Sequence, residues 1–130
     1  MAPLRITVVS YLNSVPFVYG IRRVGNTLPC ELTLAPPSEC ARAMDCGQTD
    51  IALVTVAEIP KLRVPVKVIC DYCLGTNDGA RTVTLLSNSE LNKIETIYLD
   101  PESCTSNTLT EILCREYWGI NPKFEMREEH

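Results

Sequence analysis

Short runs of β-branched and apolar residues alternate along this chain with segments in which apolar positions recur at helical spacing. The runs predict strands at residues 4–9, 30–34, 50–54, 66–70, 81–86, 96–99 and 122–126. Helices are predicted between these strands, at residues 16–21, 38–44, 56–62 and over the stripe Leu109, Ile112, Leu113 and Tyr117. This order is typical of an α/β fold with a mostly parallel sheet and right-handed crossovers.

Two of the predicted strands, 50–54 and 66–70, are almost continuously apolar. Such runs are typical of strands that are buried on both faces of a parallel sheet, so we expect helices to cover both sides. Glycines mark where helices should end: Gly47 follows the second predicted helix, and Gly119 follows the last.

A polar turn lies directly between the first predicted strand and the helix that Pro16 opens. In open α/β sheets, ligands bind in the crevice outside the carboxyl ends of the strands. The side chains of this turn that can donate and accept hydrogen bonds there are those of Ser10, Tyr11, Asn13 and Ser14.

A second polar turn, residues 103–108, has five Ser, Thr or Asn side chains in six positions and opens the helix of the Leu109 stripe. The free N–H groups and the positive dipole end of a helix favour a carboxylate or a phosphate. Plain N-capping is the alternative, although a cap needs only one such residue.

Three more candidates lie at predicted strand ends. Thr55 follows the strand at 50–54, and both Arg81 and Thr82 follow a tight turn, so all three are expected to reach the crevice beside Asn13. A helix cap explains Thr55 about as well. Arg81 suits bidentate binding of a carboxylate, or else it is a solvated charge at the start of a strand.

The 130 residues allow one domain or two very small lobes, and 45% hydrophobic with 22% charged residues is typical of a globular protein. The net charge of −4 and the lack of a basic patch argue against a nucleic-acid partner. No apolar run approaches the roughly 20 residues of a membrane span, and no export signal is recognisable. We therefore expect a cytoplasmic protein with no membrane partner.

Cysteine usage also suggests a reducing compartment. The number is odd, and the positions fall within predicted strands and helices: Cys30, Cys40, Cys46, Cys70, Cys73, Cys104 and Cys114. Cys70 and Cys73 form a CxxC pair, but a structural zinc site needs four ligands and the single histidine is the terminal His130. We expect no metal, and we expect the thiols to act as small buried hydrophobic groups.

Common catalytic patterns are missing. Without an internal histidine, no Ser-His-Asp or Cys-His arrangement can form, and neither GxGxxG nor GxxxxGK occurs. The remaining candidate chemistry is a crevice of hydroxyls, one amide and backbone donors. Such a site suits a small polar anion, which it would bind or whose elimination reaction it would promote.

Several segments together resemble the MqnA family, the chorismate dehydratases of the futalosine route to menaquinone. They are VSYLNSVPF at 9–17, PSE at 37–39, GQTDIALV at 47–54, RTV at 81–83 and SCTS at 103–106. The resemblance extends over essentially the whole chain. Its most specific part is YLN-x-x-PF.

The resemblance implies a type II periplasmic-binding-protein-like fold of two α/β lobes, used as a lyase without a cofactor. The reaction would be loss of water from chorismate to give 3-[(1-carboxyvinyl)oxy]benzoate. Asn13 would act directly on the substrate, and Ser10 and Tyr11 would shape the same wall. The residues matched to carboxylate binding are Thr82, where the family usually has Ser, and Ser103, Thr105 and Ser106.

The chain is about half as long as members of that family. By the resemblance, residues 1–82 build lobe one and residues 83–130 build the first part of lobe two, so the fold would be incomplete. We expect either a fragment, roughly the N-terminal half, or a chain that self-associates through unpaired strand edges. Catalysis by a chain of this length alone stays open.

Three other functions fit the sequence less well. The sister MqnD type of the same pathway depends on a histidine that this chain lacks. A non-catalytic binding protein for a small carboxylate is the main alternative, although it would be expected to carry an export signal and fewer cysteines. A ligand-sensing domain of a transcription regulator would need a DNA-binding segment.

Overall fold

The computed structural model of this chain describes residues 2–25, 27–79 and 83–127. The described residues group into two compact units, Met1–Gly75 and Thr76–His130. Each unit is α/β, and every strand pair in the described residues is parallel, as the alternation of strand and helix predicts.

The described residues of unit one form three strands and two α-helices. The strands β1, β2 and β3 form one parallel sheet in the order β2-β1-β3. In chain order the elements are β1 (Leu4–Val9), α1 (Val15–Val24), β2 (Cys30–Ala35), α2 (Pro37–Asp45) and β3 (Ile51–Ala52). All five were predicted from the sequence, but β3 is only two residues long.

The central strand β1 carries the core of unit one. Its last four residues, Ile6 to Val9, are all buried, and successive side chains of a strand point to opposite faces. Both faces of β1 are therefore covered. The prediction that residues 50–54 form the doubly buried strand is wrong, because Ile51 to Val54 are only half-buried.

Strand β3 is anchored to β1 by more than its two paired residues. The backbone N–H groups of Asp50 and Leu53 donate to the carbonyls of Arg5 and Thr7, both at 2.9 Å. The Asp50 carboxylate accepts from Arg5 twice through the side chain, Nη2 to Oδ1 at 2.6 Å and Nε to Oδ2 at 3.1 Å. Nη1 of Arg5 donates to the Gly47 carbonyl at 2.8 Å. One guanidinium thus joins β1 to the whole turn that precedes β3.

Three predicted elements differ in the structure. Residues 56–62 form a turn and a short 3-10 helix, Ile59–Lys61, instead of an α-helix. Residues 66–70 and 83–86 form no strand, and the side chains of Val68 and Ile69 are 83% and 68% exposed. An apolar run becomes a strand only where a neighbouring strand pairs with its backbone, and the described residues offer these segments none.

Unit two is smaller. Its regular elements are β4 (Thr96–Leu99), α3 (Cys104–Leu113), a π-helical turn (Cys114–Trp118) that continues α3, and β5 (Lys123–Met126). Both strands were predicted, and they pair in parallel from Thr96–Lys123 to Leu99–Met126. The last predicted helix is also confirmed, and it ends at Gly119 with φ of 64°.

The predicted apolar stripe does not form the core of unit two. Leu109, Ile112 and Tyr117 are exposed, whereas Ile97, Leu99 and Cys114 are buried. The residues packed against those three are Ile94, Trp118, Ile120 and Phe124. The helix therefore buries the side that carries Cys114, and helical spacing of apolar residues did not predict that side.

All seven cysteines lie in the described residues and are free thiols. Cys40 and Cys114 are buried, as predicted, and burial raises the pKa of the Cys40 thiol to about 11. The prediction is wrong for Cys46, Cys70 and Cys73, which are exposed. The first follows the end of α2, and the other two lie where the structure has neither helix nor strand.

The Arg5–Asp50 pair predicts how the stability of unit one depends on pH. Hydrogen bonds from Arg5 lower the pKa of the Asp50 carboxyl to about 2, below its usual value of about 4. The resulting stabilisation is present above about pH 4 and is lost as the pH falls from about 4 to about 2. We expect Asp50→Asn to lower the urea midpoint at pH 7 and to weaken its fall between pH 5 and pH 2.5.

The control for that measurement is Asp78→Asn, which removes an exposed carboxylate with no ion pair among the described residues. It should leave the midpoint and its pH profile close to those of the unchanged chain. Equal behaviour of the two variants would contradict a stabilising role for the Arg5–Asp50 pair.

Two glycines predict opposite effects of the same substitution. Gly119 has a positive φ, whereas Gly20 lies inside α1, and a Cβ added at either position would meet no atom within 4 Å. We expect Gly119→Ala to destabilise the protein by about 1 kcal/mol through backbone strain alone. Gly20→Ala should stabilise it by about 0.5–1 kcal/mol through helix propensity. Urea unfolding of both variants checks the signs, and stabilisation by Gly119→Ala would contradict the left-handed conformation.

Candidate functional site

The loop that follows β1 holds most of the candidate residues of unit one. A short 3-10 helix, Leu12–Ser14, leads into α1, and the Ser14 N–H donates to the Tyr11 carbonyl at 3.0 Å. Pro16 lies in the first turn of α1, where its fixed φ suits a helix start. The loop therefore follows the central strand of the sheet, at the edge where ligands of α/β proteins bind.

A shallow, open groove of about 520 Å³ lies beside this loop. One face of α1 forms a wall, and the rest comes from the loop and from the ends of β1 and β2. The lining residues are Val9, Ser10, Tyr11, Leu12, Val15, Val18, Tyr19, Arg22 and Leu34. Ser10 and Tyr11 are thus brought together, in mostly apolar surroundings.

Arg22 is a groove residue that the sequence reasoning missed. It is exposed, and the described residues provide no ion-pair partner for it. Arg22 lies seven residues after Val15, so both residues are on one face of α1. This spacing is the sequence feature that could have placed Arg22 beside the polar turn. An unpaired guanidinium at the edge of an apolar groove favours an anionic group on whatever binds there.

Asn13 is exposed in the same loop but does not line the groove. Its amide is therefore open to solvent at the carboxyl end of β1. Thr55 does not line the groove either, although it follows β3, the parallel neighbour of β1. The groove consequently brings together only part of the predicted set of unit one.

Two buried hydroxyls near these strand ends have no hydrogen-bond partner among the described residues, Ser14 Oγ and Thr55 Oγ1. Ser14 is fully buried and precedes α1 without capping it through its side chain. Thr55 accepts from the Glu58 N–H at 3.0 Å through its backbone carbonyl, so its hydroxyl is not the cap. An unsatisfied buried hydroxyl costs about 1–3 kcal/mol. A partner for either group would stabilise this edge of the sheet.

The hydroxyl-rich start of α3 is the candidate site of unit two. The Ser103 hydroxyl donates to Ser106 Oγ at 2.8 Å and makes no capping bond to the backbone, so plain capping by Ser103 is wrong. Ser103, Thr105 and Ser106 are half-buried. The first-turn N–H groups of a helix have no carbonyl partner within it, so Thr105 and Ser106 present donors for an anion.

Other side chains of this turn are used within the helix or the loop before it. The Asn107 amide donates to the Asp100 carbonyl at 2.7 Å, and the Thr108 hydroxyl donates to the Cys104 carbonyl at 3.1 Å. These bonds occupy the side chains of Asn107 and Thr108 and do not involve Thr105 or the Ser103–Ser106 pair.

The remaining predicted residues, Arg81 and Thr82, lie outside the described residues. Within the described ranges, no three His, Cys, Asp or Glu side chains lie close enough together to hold a metal ion. No helix in the described part of the chain is long and apolar enough to cross a bilayer.

The chain was compared with models of known protein families. The family model described as menaquinone biosynthesis matches residues 4–130, which is nearly the full sequence. This match supports a role in the synthesis of menaquinone and a small-molecule substrate. The matched range includes the loop after β1 and the start of α3. The chain therefore belongs to the menaquinone biosynthesis family.

Proposed function

We propose that this chain is a chorismate dehydratase, which eliminates water from chorismate to give 3-[(1-carboxyvinyl)oxy]benzoate in the futalosine route to menaquinone. The observation that carries the proposal is the exposed Asn13 amide in the YLN-x-x-PF loop, directly after the central strand of unit one. Membership of the menaquinone biosynthesis family supports it.

Elimination of water from chorismate requires few catalytic groups from the protein. Chorismate is a dianion whose ring loses one hydrogen and one hydroxyl as water, and the ring becomes aromatic. Aromatisation supplies the driving force, so the protein must hold two carboxylates, orient the breaking C–O bond and stabilise developing negative charge. Hydroxyl, amide and backbone N–H donors are sufficient for these tasks, and no cofactor is needed.

In this proposal Asn13 contacts the reacting part of the substrate. Its amide N–H donates to the departing hydroxyl oxygen, which gains negative charge as the C–O bond breaks. Ser10 and Tyr11 form the adjoining wall of the site. Thr55 is assigned to the same site: its hydroxyl is buried and has no partner among the described residues, and it must rotate outward to reach the substrate.

The two carboxylates of the substrate are assigned to two further sets of residues. Ser103, Thr105 and Ser106 at the start of α3 bind one carboxylate, since first-turn N–H groups and the helix dipole both favour an anion. The Ser103 hydroxyl donates to Ser106 Oγ, which leaves the Ser106 hydroxyl hydrogen for the carboxylate. Arg81 and Thr82 bind the other. A charge-assisted hydrogen bond is about twice as strong as a neutral one, so a few suffice.

We propose that the chain forms the lobes of a type II periplasmic-binding-protein-like fold, with lobe one made of residues 1–82, which include all of unit one and the first residues of unit two. Residues 83–130 then form the first part of lobe two. Seven free thiols fit a reducing compartment, which makes the cytoplasm the proposed location. Incubation of the purified chain with chorismate, followed by liquid chromatography and mass spectrometry, tests the reaction: a product lighter by one water supports it.

Binding of chorismate is measured by calorimetry on the same samples. If chorismate binds but is not converted, the proposed function becomes that of a binding protein for a small carboxylate. Neither binding nor turnover would overturn the proposed substrate.

Asn13→Ala is expected to lower turnover by about 100-fold or more, because the leaving oxygen loses a donor in the transition state. The substituted residue is exposed, so the urea midpoint should not change. Asn92→Ala is the matched control, since Asn92 is also exposed within a 3-10 helix, Leu91–Lys93. Equal turnover of the two variants would remove Asn13 from the mechanism.

Ser106→Ala is expected to raise KM about tenfold with little change in kcat, because it removes a hydrogen bond to a carboxylate that does not react. Thr108→Ala is the control: it also removes a hydroxyl from α3, but one that is bonded to the Cys104 carbonyl. A fall in kcat at constant KM for Ser106→Ala would contradict its role in binding.

A further inference from the structure

Two of the exposed thiols, Cys70 and Cys73, are separated by only two residues. They lie in a segment without helix or strand, close before Gly75, the last residue of unit one. The proposed dehydration uses neither of them. Their exposure contrasts with Cys40 and Cys114, which packing buries.

The local geometry favours a disulfide bond between Cys70 and Cys73. The chain bends at Asp71, and the Cys70 thiol donates to the Tyr72 carbonyl at 3.5 Å. That carbonyl belongs to the peptide bond between Tyr72 and Cys73. The sulfur of Cys70 is therefore already directed at the peptide group that begins Cys73.

Few interactions oppose the small movement that is still required. The Cys73 sulfur lies 3.7 Å from the place of a Cβ on Gly75, so its side chain must rotate toward Cys70. Exposed side chains change rotamer within picoseconds to nanoseconds. No sheet or helix hydrogen bond between residues 70 and 73 has to break, because the segment has none.

We propose that Cys70 and Cys73 are a redox modification site, which a small-molecule disulfide such as oxidised glutathione converts to an intramolecular disulfide. The thiolate of one cysteine attacks the small disulfide, forms a mixed disulfide and releases one glutathione thiolate. The other cysteine, as thiolate, attacks the protein sulfur of that mixed disulfide and releases the second glutathione thiolate. Two cysteine protons go to solvent, the two cysteines are oxidised and the small disulfide is reduced.

Cys46 provides an internal comparison. It is also exposed, but no other cysteine lies within three residues of it in the sequence. A thiol without a nearby second thiol stops at the mixed disulfide. The same reagent should therefore leave glutathione on Cys46 and a disulfide between Cys70 and Cys73.

The test is incubation of the folded chain with oxidised glutathione, an acid quench that removes the reagent, blocking of the remaining thiols with N-ethylmaleimide, and trypsin digestion near neutral pH before mass spectrometry. Cleavage after Lys67 and Arg81 yields the peptide 68–81, whose only cysteines are Cys70 and Cys73. We expect this peptide to lose two hydrogens and carry no glutathione, and dithiothreitol to restore its mass. A peptide with one or two glutathione adducts, or one with both thiols blocked by N-ethylmaleimide, would overturn the proposal.

Two single variants show whether the two thiols act together. Cys73→Ser and Cys70→Ser should each retain one glutathione on the remaining cysteine, because the resolving thiol is absent. Cys46→Ser should remove the adduct on Cys46 and leave the Cys70–Cys73 disulfide unchanged. Two results would contradict an intramolecular disulfide between Cys70 and Cys73. One is that Cys73→Ser or Cys70→Ser carries no glutathione on its remaining cysteine of the pair. The other is that Cys46→Ser does not form the Cys70–Cys73 disulfide.

Discussion

The pairing of Arg5 with Asp50 is part of the attachment that holds β3 to β1 and so makes β1 the central strand of unit one. Strand β3 has only two residues, so its own ladder holds it weakly. The bidentate side-chain pair, the Arg5 bond to the Gly47 carbonyl and the Asp50 N–H bond to the Arg5 carbonyl supply the missing attachment. Thr49 adds to it, since its buried hydroxyl lies 3.1 Å from that same carbonyl. With β3 in place, β1 becomes the central strand, and the YLN-x-x-PF loop follows the middle of the sheet.

The same edge of the sheet carries features that work against stability. Ser14 and Thr55 each leave a buried hydroxyl without a partner in the described residues, and the groove beside α1 leaves Val15 and Tyr19 exposed. Local interactions that lower stability are concentrated at functional sites, because a binding surface must offer unsatisfied groups. This contrast between a well-anchored β3 and an unsatisfied edge supports the view that the edge serves binding.

Much of the fold could be predicted from the sequence, since local patterns specify it. Periodicity located β1, β2, α1 and α2, and the two glycines of positive φ ended helices where predicted. The failures were segments that depend on distant partners. Residues 66–70 have the composition of a buried strand but meet no pairing strand among the described residues, so their side chains are exposed. For the site, strand-end position predicted that Ser10 and Tyr11 share a groove but could not show that Asn13 does not line it.

The sequence by itself determined the α/β alternation, the polar turns after the first strand and before α3, and the family to which the chain belongs. These properties depend on short stretches of sequence or on the sum of matches along the chain. They can therefore be predicted without knowing which distant residues are in contact. Only the tertiary structure decided that Asp50 pairs with Arg5, that Arg22 lines the groove, and that Cys70 and Cys73 are exposed while Cys40 is buried. Each of these depends on contacts between residues far apart in sequence, or on their absence, and the cost of burial or pairing is fixed only when the chain has folded.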